Sequence, residues 1–209
     1  MTDTRYGMLI DLSRCIGCNA CTVACKMEND VPLTKYNGWV DTWDAGDDDD
    51  VRRVNIPKLC NHCADPRCEA ACPTGATYIA EGGVVLIDEE KCINCQACIK
   101  ACPYDVRYEV AEADGVAAHV AKCTYCYHRV ARGMLPACVG TCVAQARLYG
   151  DLNNPESDIA RRMAEITAEA LLPEEGIDTA TRYVLLTEAE ALPRRSGVYK
   201  GGELIEPMA

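Results

Sequence analysis

The 209-residue chain has no apolar run near the roughly 18 residues that a membrane-spanning helix needs, and Val84 to Ile87 is typical of its longest stretches. It is therefore expected to be soluble or peripheral, with any membrane anchor on another polypeptide. Basic charge is scarce as well: 21 Lys and Arg against 32 Asp and Glu leave a formal charge of -11, the wrong balance for a phosphate-binding surface. Nucleic acid is excluded as a partner on that ground. The opening M-T-D-T-R-Y-G-M-L-I-D lacks a basic and apolar leader, and Arg52-Arg53 lies too far into the chain to act as an export signal, so the first expectation is a cytoplasmic protein. Also missing are a G-x-G-x-x-G after a strand, a P-loop, H-E-x-x-H and G-x-S-x-G. The chain is not expected to be catalytic alone.

What it has in excess is cysteine: sixteen residues, in four groups of four. The groups are Cys15, Cys18, Cys21, Cys25; Cys60, Cys63, Cys68, Cys72; Cys92, Cys95, Cys98, Cys102; and Cys123, Cys126, Cys138, Cys142. Disulfides suit exported chains, and cysteines two residues apart have poor geometry for bridging each other. The first and third groups repeat one unit, D-L-S-R-C-I-G-C-N-A-C from Asp11 and D-E-E-K-C-I-N-C-Q-A-C from Asp88. A short apolar or alternating segment precedes each group, at Gly7 to Ile10, Val51 to Ile56, Val84 to Ile87 and Val116 to Val120, and each reads as a strand. The expected unit is strand, metal loop, short helix, with three cysteines on the loop and the fourth starting the helix. Gly17 fits a loop that needs an unusual backbone angle or close approach of amides to sulfide, or is an ordinary turn glycine, and Asn94 at the equivalent position also tolerates the left-handed region.

A zinc site pairs two C-x2-C hooks a dozen or more residues apart, or adds histidines, to close one tetrahedron. Three cysteines within seven residues suit a larger core. Cys92 to Pro103 matches C-x2-C-x2-C-x3-C-P, the bacterial iron-sulfur run whose fourth cysteine serves the other cluster in two-cluster ferredoxins. The second group has two extra residues before Cys68 and keeps Cys72-Pro73; the first keeps the spacing and loses the proline; the fourth opens to C-x2-C-x11-C-x3-C. At four thiolates per cluster, sixteen cysteines give four [4Fe-4S] clusters. His62 and His128 then read as hydrogen-bonding or solvated side chains, and His119 carries no signal. Arg14, Lys58, Lys91 and Lys122, one just before each group, are candidate tuners of cluster potential, because nearby positive charge favours the reduced form. The acidic run Asp47 to Asp50, after Trp39 and Trp43, reads as a solvated loop.

These ordered groups, with C-N-H-C at Cys60, P-A-C-V-G-T-C at Pro136 and G-D-L-N-N-P-E-S from Gly150, resemble the four-cluster iron-sulfur subunits of molybdopterin oxidoreductases. That group is typified by dimethyl sulfoxide, polysulfide, thiosulfate, tetrathionate and respiratory arsenate reductases, and the resemblance covers about residues 5 to 190. It implies an α+β fold of two fused ferredoxin-like 2[4Fe-4S] modules, 1–30 plus 115–150 and 51–114, with an acidic insertion loop at 31–50 and a C-terminal helix and strand extension for docking at 151–209. In that extension Pro155 to Ala170 has helical spacing at Ile159, Met163 and Ile166, more consistent with core than with an interface, and Tyr183 to Leu186 reads as a strand. The implied ligand sets are Cys15, Cys18, Cys21 with Cys142 (cluster A); Cys123, Cys126, Cys138 with Cys25 (B); Cys60, Cys63, Cys68 with Cys102 (C); and Cys92, Cys95, Cys98 with Cys72 (D). The fourth group's spacing and the prolines missing after Cys25 and Cys142 are departures within the first module.

The resemblance further implies electron transfer to or from a large catalytic subunit holding molybdopterin guanine dinucleotide with Mo or W, and a membrane quinol-linked or soluble redox partner. It also allows export to the periplasmic side with a twin-arginine partner. Competing readings are the small subunit of an aromatic dehydroxylase or transhydroxylase, a subunit of a formate dehydrogenase or hydrogenase-linked carrier, a freestanding polyferredoxin, and a zinc-binding interaction module.

Overall fold

In the computed structural model, residues 4–46, 49, 51–113, 115, 117–190, 194–200 and 203–205 are described. The chain begins with strand β1 (Tyr6–Asp11), where the period of two sorts side chains between two cores. Met8 and Ile10 enter the larger core, and Leu9 on the opposite face packs with Ile159 and Val184. After the first cysteine group and α1 (Ala20–Glu28) come strands β2 (Gly38–Ala45) and β3 (Arg52–Leu59). The second group leads into α2 (Arg67–Ala70), β4 (Thr77–Ile79) and β5 (Val85–Ile87). The third leads into α3 (Ala97–Lys100), β6 (Tyr108–Val110) and β7 (His119–Ala121), and the fourth spans α4 (Tyr127–Val130) and α5 (Ala137–Gly140). The tail holds β8 (Arg147–Asp151), α6 (Asp158–Glu165), β9 (Thr181–Val184), α7 (Leu186–Glu190), β10 (Arg194–Lys200) and β11 (Glu203–Ile205).

One sheet has the order β8-β1-β9, in which β1 runs antiparallel to β8 and parallel to β9. A second has the order β11-β10-β2-β3, and β4-β5 and β6-β7 are two-stranded hairpins. The strands expected before the four groups are present, although the last begins at His119, and Val116 lies outside the described residues.

The segment 31–50 differs from the loop expected there, because β2 occupies its middle and pairs with β3 along its whole length, from Gly38 with Leu59 to Ala45 with Arg52. Trp39, Asp41 and Trp43 share a face by alternation, and all three are buried. Asp41 is buried because Trp39 Nε1 donates to it at 2.8 Å and Lys58 Nζ lies 3.0 Å away. Its sequence neighbourhood looks acidic and solvated, yet the burial of two indoles outweighs that appearance. Of the acidic run Asp47 to Asp50, only Asp49 is among the described residues.

The tail is likewise more than an appendage. Ser157 caps α6 by accepting from the Ala160 amide at 3.1 Å, and Ile159 and Met163 pack onto the small core beside Leu9 and Val184. The helix stops at Glu165, so Ile166 reaches the same cluster from extended backbone. β9 starts two residues earlier than expected and seats Tyr183, fully buried, with its hydroxyl donating to the Pro57 carbonyl at 3.0 Å. Replacing Tyr183 with Ala should destabilise the chain by about 3–5 kcal/mol, as for other large-to-small aromatic truncations. Anaerobic thermal unfolding of the cluster-loaded full chain checks this: an unchanged midpoint would mean that the tail is only attached to the fold.

Candidate metal centres

Each cysteine group is built on the same turn. The residue just before the second cysteine is left-handed in all four: Gly17 at φ 67°, His62 at 44°, Asn94 at 50° and Tyr125 at 53°. That conformation reverses the chain between two sulfurs and costs a residue with a Cβ about 1–2 kcal/mol. Gly17 avoids the cost and Asn94 tolerates it. His62 and Tyr125 bear it, and their rings stack on each other with centroids 3.7 Å apart.

Gly17 has a second reason to be glycine. A Cβ there would collide with the Asn55 amide, which is fixed from both ends: Thr42 Oγ1 donates to its oxygen at 3.0 Å and its Nδ2 donates to the Cys15 carbonyl at 3.2 Å. The first loop is thereby pinned to β3.

The helices enter one cysteine earlier than expected. Cys68, Cys98 and Cys138 lie within α2, α3 and α5, and Cys72, Cys102 and Cys142 follow just past the helix ends; α1 contains both Cys21 and Cys25. The cause in the first and third groups is a left-handed residue, Asn19 or Gln96, immediately before the helix.

Two cavities collect sulfurs from separate groups. One is lined by Cys15, Cys18 and Cys21 together with Cys142, and another by Cys92, Cys95 and Cys98 together with Cys72. Elsewhere, Cys25 has Cys138 and Cys126 as electrostatic neighbours, and Cys63 has Cys60, Cys68 and Cys102. Among the described residues, no three His, Cys, Asp or Glu side chains are grouped so as to hold a single metal ion.

Burial pushes the thiols of Cys25 and Cys63 up to about 12, with the neighbouring thiols adding to the effect. A buried thiolate set therefore needs positive charge and hydrogen-bond donors, and both are present. Backbone amides of Thr77, Tyr125 and Ala146 donate to the sulfurs of Cys72, Cys123 and Cys142 at 3.3–3.4 Å. Asn29 Nδ2 lies 3.6 Å from the sulfurs of both Cys25 and Cys126.

Two buried arginines complete the set. Arg107 Nη2 donates to Cys68 Sγ at 2.9 Å, and Arg147 Nη2 to Cys21 Sγ at 3.6 Å. Burial by itself would lower the pKa of each, but thiolates outweigh it, Cys68 first for Arg107 and Cys138 first for Arg147, so both guanidinium groups stay charged. Sequence reasoning missed them. The signal was their common offset, five residues after the last cysteine in C-P-Y-D-V-R and C-V-A-Q-A-R.

Of the four basic residues singled out from the sequence, three pair with groups other than sulfur. Arg14 is exposed and reaches Gln145; Lys58 pairs with Asp41; Lys91 is exposed and pairs with Asp88. Lys122 is buried, donating to the carbonyls of Val85 and Cys123, and its charge reaches Cys68. His62 is buried and accepts from the Val85 amide at 3.1 Å, with burial first and the charges of Lys122 and Arg107 next keeping its ring neutral. His119 Nδ1 lies 3.0 Å from the Ala117 carbonyl, and His128 meets Glu28 at 2.8 Å on the surface.

Thiolates alone as donors, gathered in fours and met by amide and guanidinium N–H groups, fit the anionic iron-sulfur cluster. This fold and these sites define an iron-sulfur protein of the ferredoxin kind. In agreement, a 4Fe-4S dicluster domain model matches residues 51–152 and a 4Fe-4S binding domain model matches residues 6–27. The chain is 41% identical to the B subunit of tetrathionate reductase from Salmonella typhimurium, over 90% of this chain and 76% of the relative. It is 39% identical to the putative dimethyl sulfoxide reductase iron-sulfur B subunit of Halobacterium salinarum (87% and 79%) and 36% identical to the B subunit of sulfite dehydrogenase from Allochromatium vinosum (92% and 84%). The chain belongs to this family, the iron-sulfur B subunits of molybdopterin oxidoreductases, and is an electron-transfer subunit with 4Fe-4S clusters rather than a catalyst by itself. Among the described residues no helix is long and apolar enough to cross a membrane.

Gly17→Ala should cost about 1–2 kcal/mol in the left-handed turn and in addition displace Asn55. The expected outcome is a chain that loses the iron of one cluster, about four atoms, with the loss confined to one cluster signal. Unchanged iron and signals would show that the turn is not required.

Proposed function

We propose that this chain carries four [4Fe-4S] clusters on the ligand sets A to D and conducts electrons between a large molybdopterin subunit, holding Mo or W, and a membrane quinol-linked or soluble partner. When bound, each cluster supplies a one-electron site whose potential depends on charge, burial and hydrogen bonding. The observation that carries the reading is the gathering of cysteines across groups: each of the two four-sulfur cavities draws three sulfurs from one group and the fourth from another. The neighbours of Cys25 and Cys63 support sets B and C in the same way.

The sets also support an order. Cys138 and Cys25 have Cys21 as a neighbour, Cys123 has Cys60, and Arg107 adjoins Cys60, Cys68 and Cys98. Those contacts favour a row A, B, C, D. The thiols of Cys18 and Cys95, in the two end sets, belong to exposed residues, as a carrier that hands electrons to partners at both ends requires.

The partner's substrate is proposed to be a sulfur compound of the tetrathionate class, on the strength of the tetrathionate reductase relative. The sulfite dehydrogenase relative supports a second reading, in which the same row of clusters carries electrons away from the catalytic subunit. If that subunit has a twin-arginine leader, the clusters must be built in the cytoplasm before both chains are exported.

Anaerobic purification of the native complex, followed by quantification of iron, sulfide, zinc, molybdenum and tungsten, tests the proposal. The expected result is about sixteen irons per copy of this chain, after subtraction of any clusters in the large subunit, with Mo or W in that subunit. The same iron with neither heavier metal would point to a freestanding polyferredoxin, and stoichiometric zinc without iron would remove the cluster assignment. The ligand sets have a separate test. Cys102→Ser should perturb the cluster held by Cys60, Cys63 and Cys68 and leave that of its own loop intact, read by electron paramagnetic resonance; the opposite pattern would refute the exchange of fourth cysteines.

A further inference from the structure

We infer that Arg107 and Arg147 set the potentials of the clusters in pairs: each guanidinium is a permanent positive charge placed between two clusters, Arg107 between C and D and Arg147 between A and B. The inference rests on the ligand sets proposed above. Its geometric basis is the position of each side chain. Arg107 donates through Nη2 to Cys68 of set C at 2.9 Å, is anchored through Nη1 at 3.1 Å to Thr77 Oγ1, a residue that lines the cavity of set D, and has Cys98 of that set as an electrostatic neighbour. Arg147 lies 3.6 Å from Cys21 of set A, lines the cavity that holds Cys15, Cys18 and Cys142, and has Cys138 of set B as an electrostatic neighbour.

The two positions are internal counterparts. Each follows the last cysteine of its group by five residues, and each stands where the chain turns into a strand, Arg107 just before β6 and Arg147 at the start of β8. Both are buried. A buried charge is screened far less than an exposed one, and its effect falls with distance, so the clusters nearest to it are shifted most. One-electron reduction adds one negative charge to a cluster and takes no proton from the arginine, whose guanidinium keeps its charge throughout. A shared cation therefore favours reduction of both neighbours together. It raises the pair as a unit, with less effect on the step between its members, and shifts the more distant pair less.

The test is an anaerobic redox titration, followed by electron paramagnetic resonance, of the complex carrying Arg107→Gln and, separately, Arg147→Gln, after iron and sulfide have been counted. With iron complete, the reduced-to-oxidised ratio of two cluster signals should fall about tenfold at a fixed ambient potential, a shift of about 59 mV for a one-electron couple. The other two signals should shift much less, and Arg107→Lys should recover most of the change. Full iron with no shift, a shift of one signal alone, or an equal shift of all four would overturn the pairing. If the unsubstituted complex itself lacks iron, the cluster reading fails and not this one.

A Gln variant that loses iron is covered by a measurement on the unchanged protein. Complex grown with 15N-arginine should show arginine nitrogen couplings in the spectra of the reduced clusters by pulsed paramagnetic resonance. Their absence would overturn the inference without any substitution.

Discussion

The fold depends on one electrostatic constraint, which is the cost of crowding sixteen cysteine sulfurs, several of them buried, into a protein of 209 residues. A buried thiolate is expensive, as the upward displacement of the Cys25 and Cys63 thiols shows. Left as neutral thiols the sulfurs would pack as small apolar groups; as ligands they need compensating charge. The cluster irons supply most of that charge, and metal binding releases the thiol protons. The protein supplies the rest through amide donors, Asn29, and two guanidinium groups that pair with thiolate in the interior. The acidic surface and the cationic interior thus answer different demands, one for the outer face of the chain and one for its sulfurs.

The second constraint is conformational and is met four times by one device. A left-handed residue between the first two cysteines turns the chain within three residues, and four different amino acids perform that task. Two of them, His62 and Tyr125, bear the backbone cost and stack ring against ring, joining the second and fourth groups. The backbone cost at these positions is thereby set against a ring-stacking contact.

Legibility in the sequence followed the range of the interaction. The cysteine groups, the strand before each and the left-handed turns at Gly17 and Asn94 were readable because spacing and local conformation determine them. Nothing in C-N-H-C or C-T-Y-C marks His62 or Tyr125 as left-handed, since the stacking that sustains them spans 63 positions of chain. For the same reason β2 was hidden: an aspartate buried between two tryptophans looks solvated until Lys58 is brought to it from the paired strand. The cations were sought next to the sulfurs in sequence, whereas charge acts through space, and Arg107 reaches Cys68 from 39 residues away.

The tail ties distant ligand loops to one another. In β9 and the residue before it, the Ala180 amide donates to the Asn61 carbonyl at 2.9 Å, Thr181 Oγ1 meets both the Tyr125 hydroxyl at 2.6 Å and the Cys60 carbonyl at 3.4 Å, and Tyr183 ties down Pro57. The same strand pairs in parallel with β1, which leads into the first group. One short strand therefore holds the second and fourth groups together, at the junction where the proposed clusters B and C would face each other. Tunnelling is sensitive to distance, so a carrier of several clusters needs its modules fixed rather than tethered. A buried strand does this by bonding to the Asn61 and Cys60 carbonyls of one ligand loop and the Tyr125 hydroxyl of another.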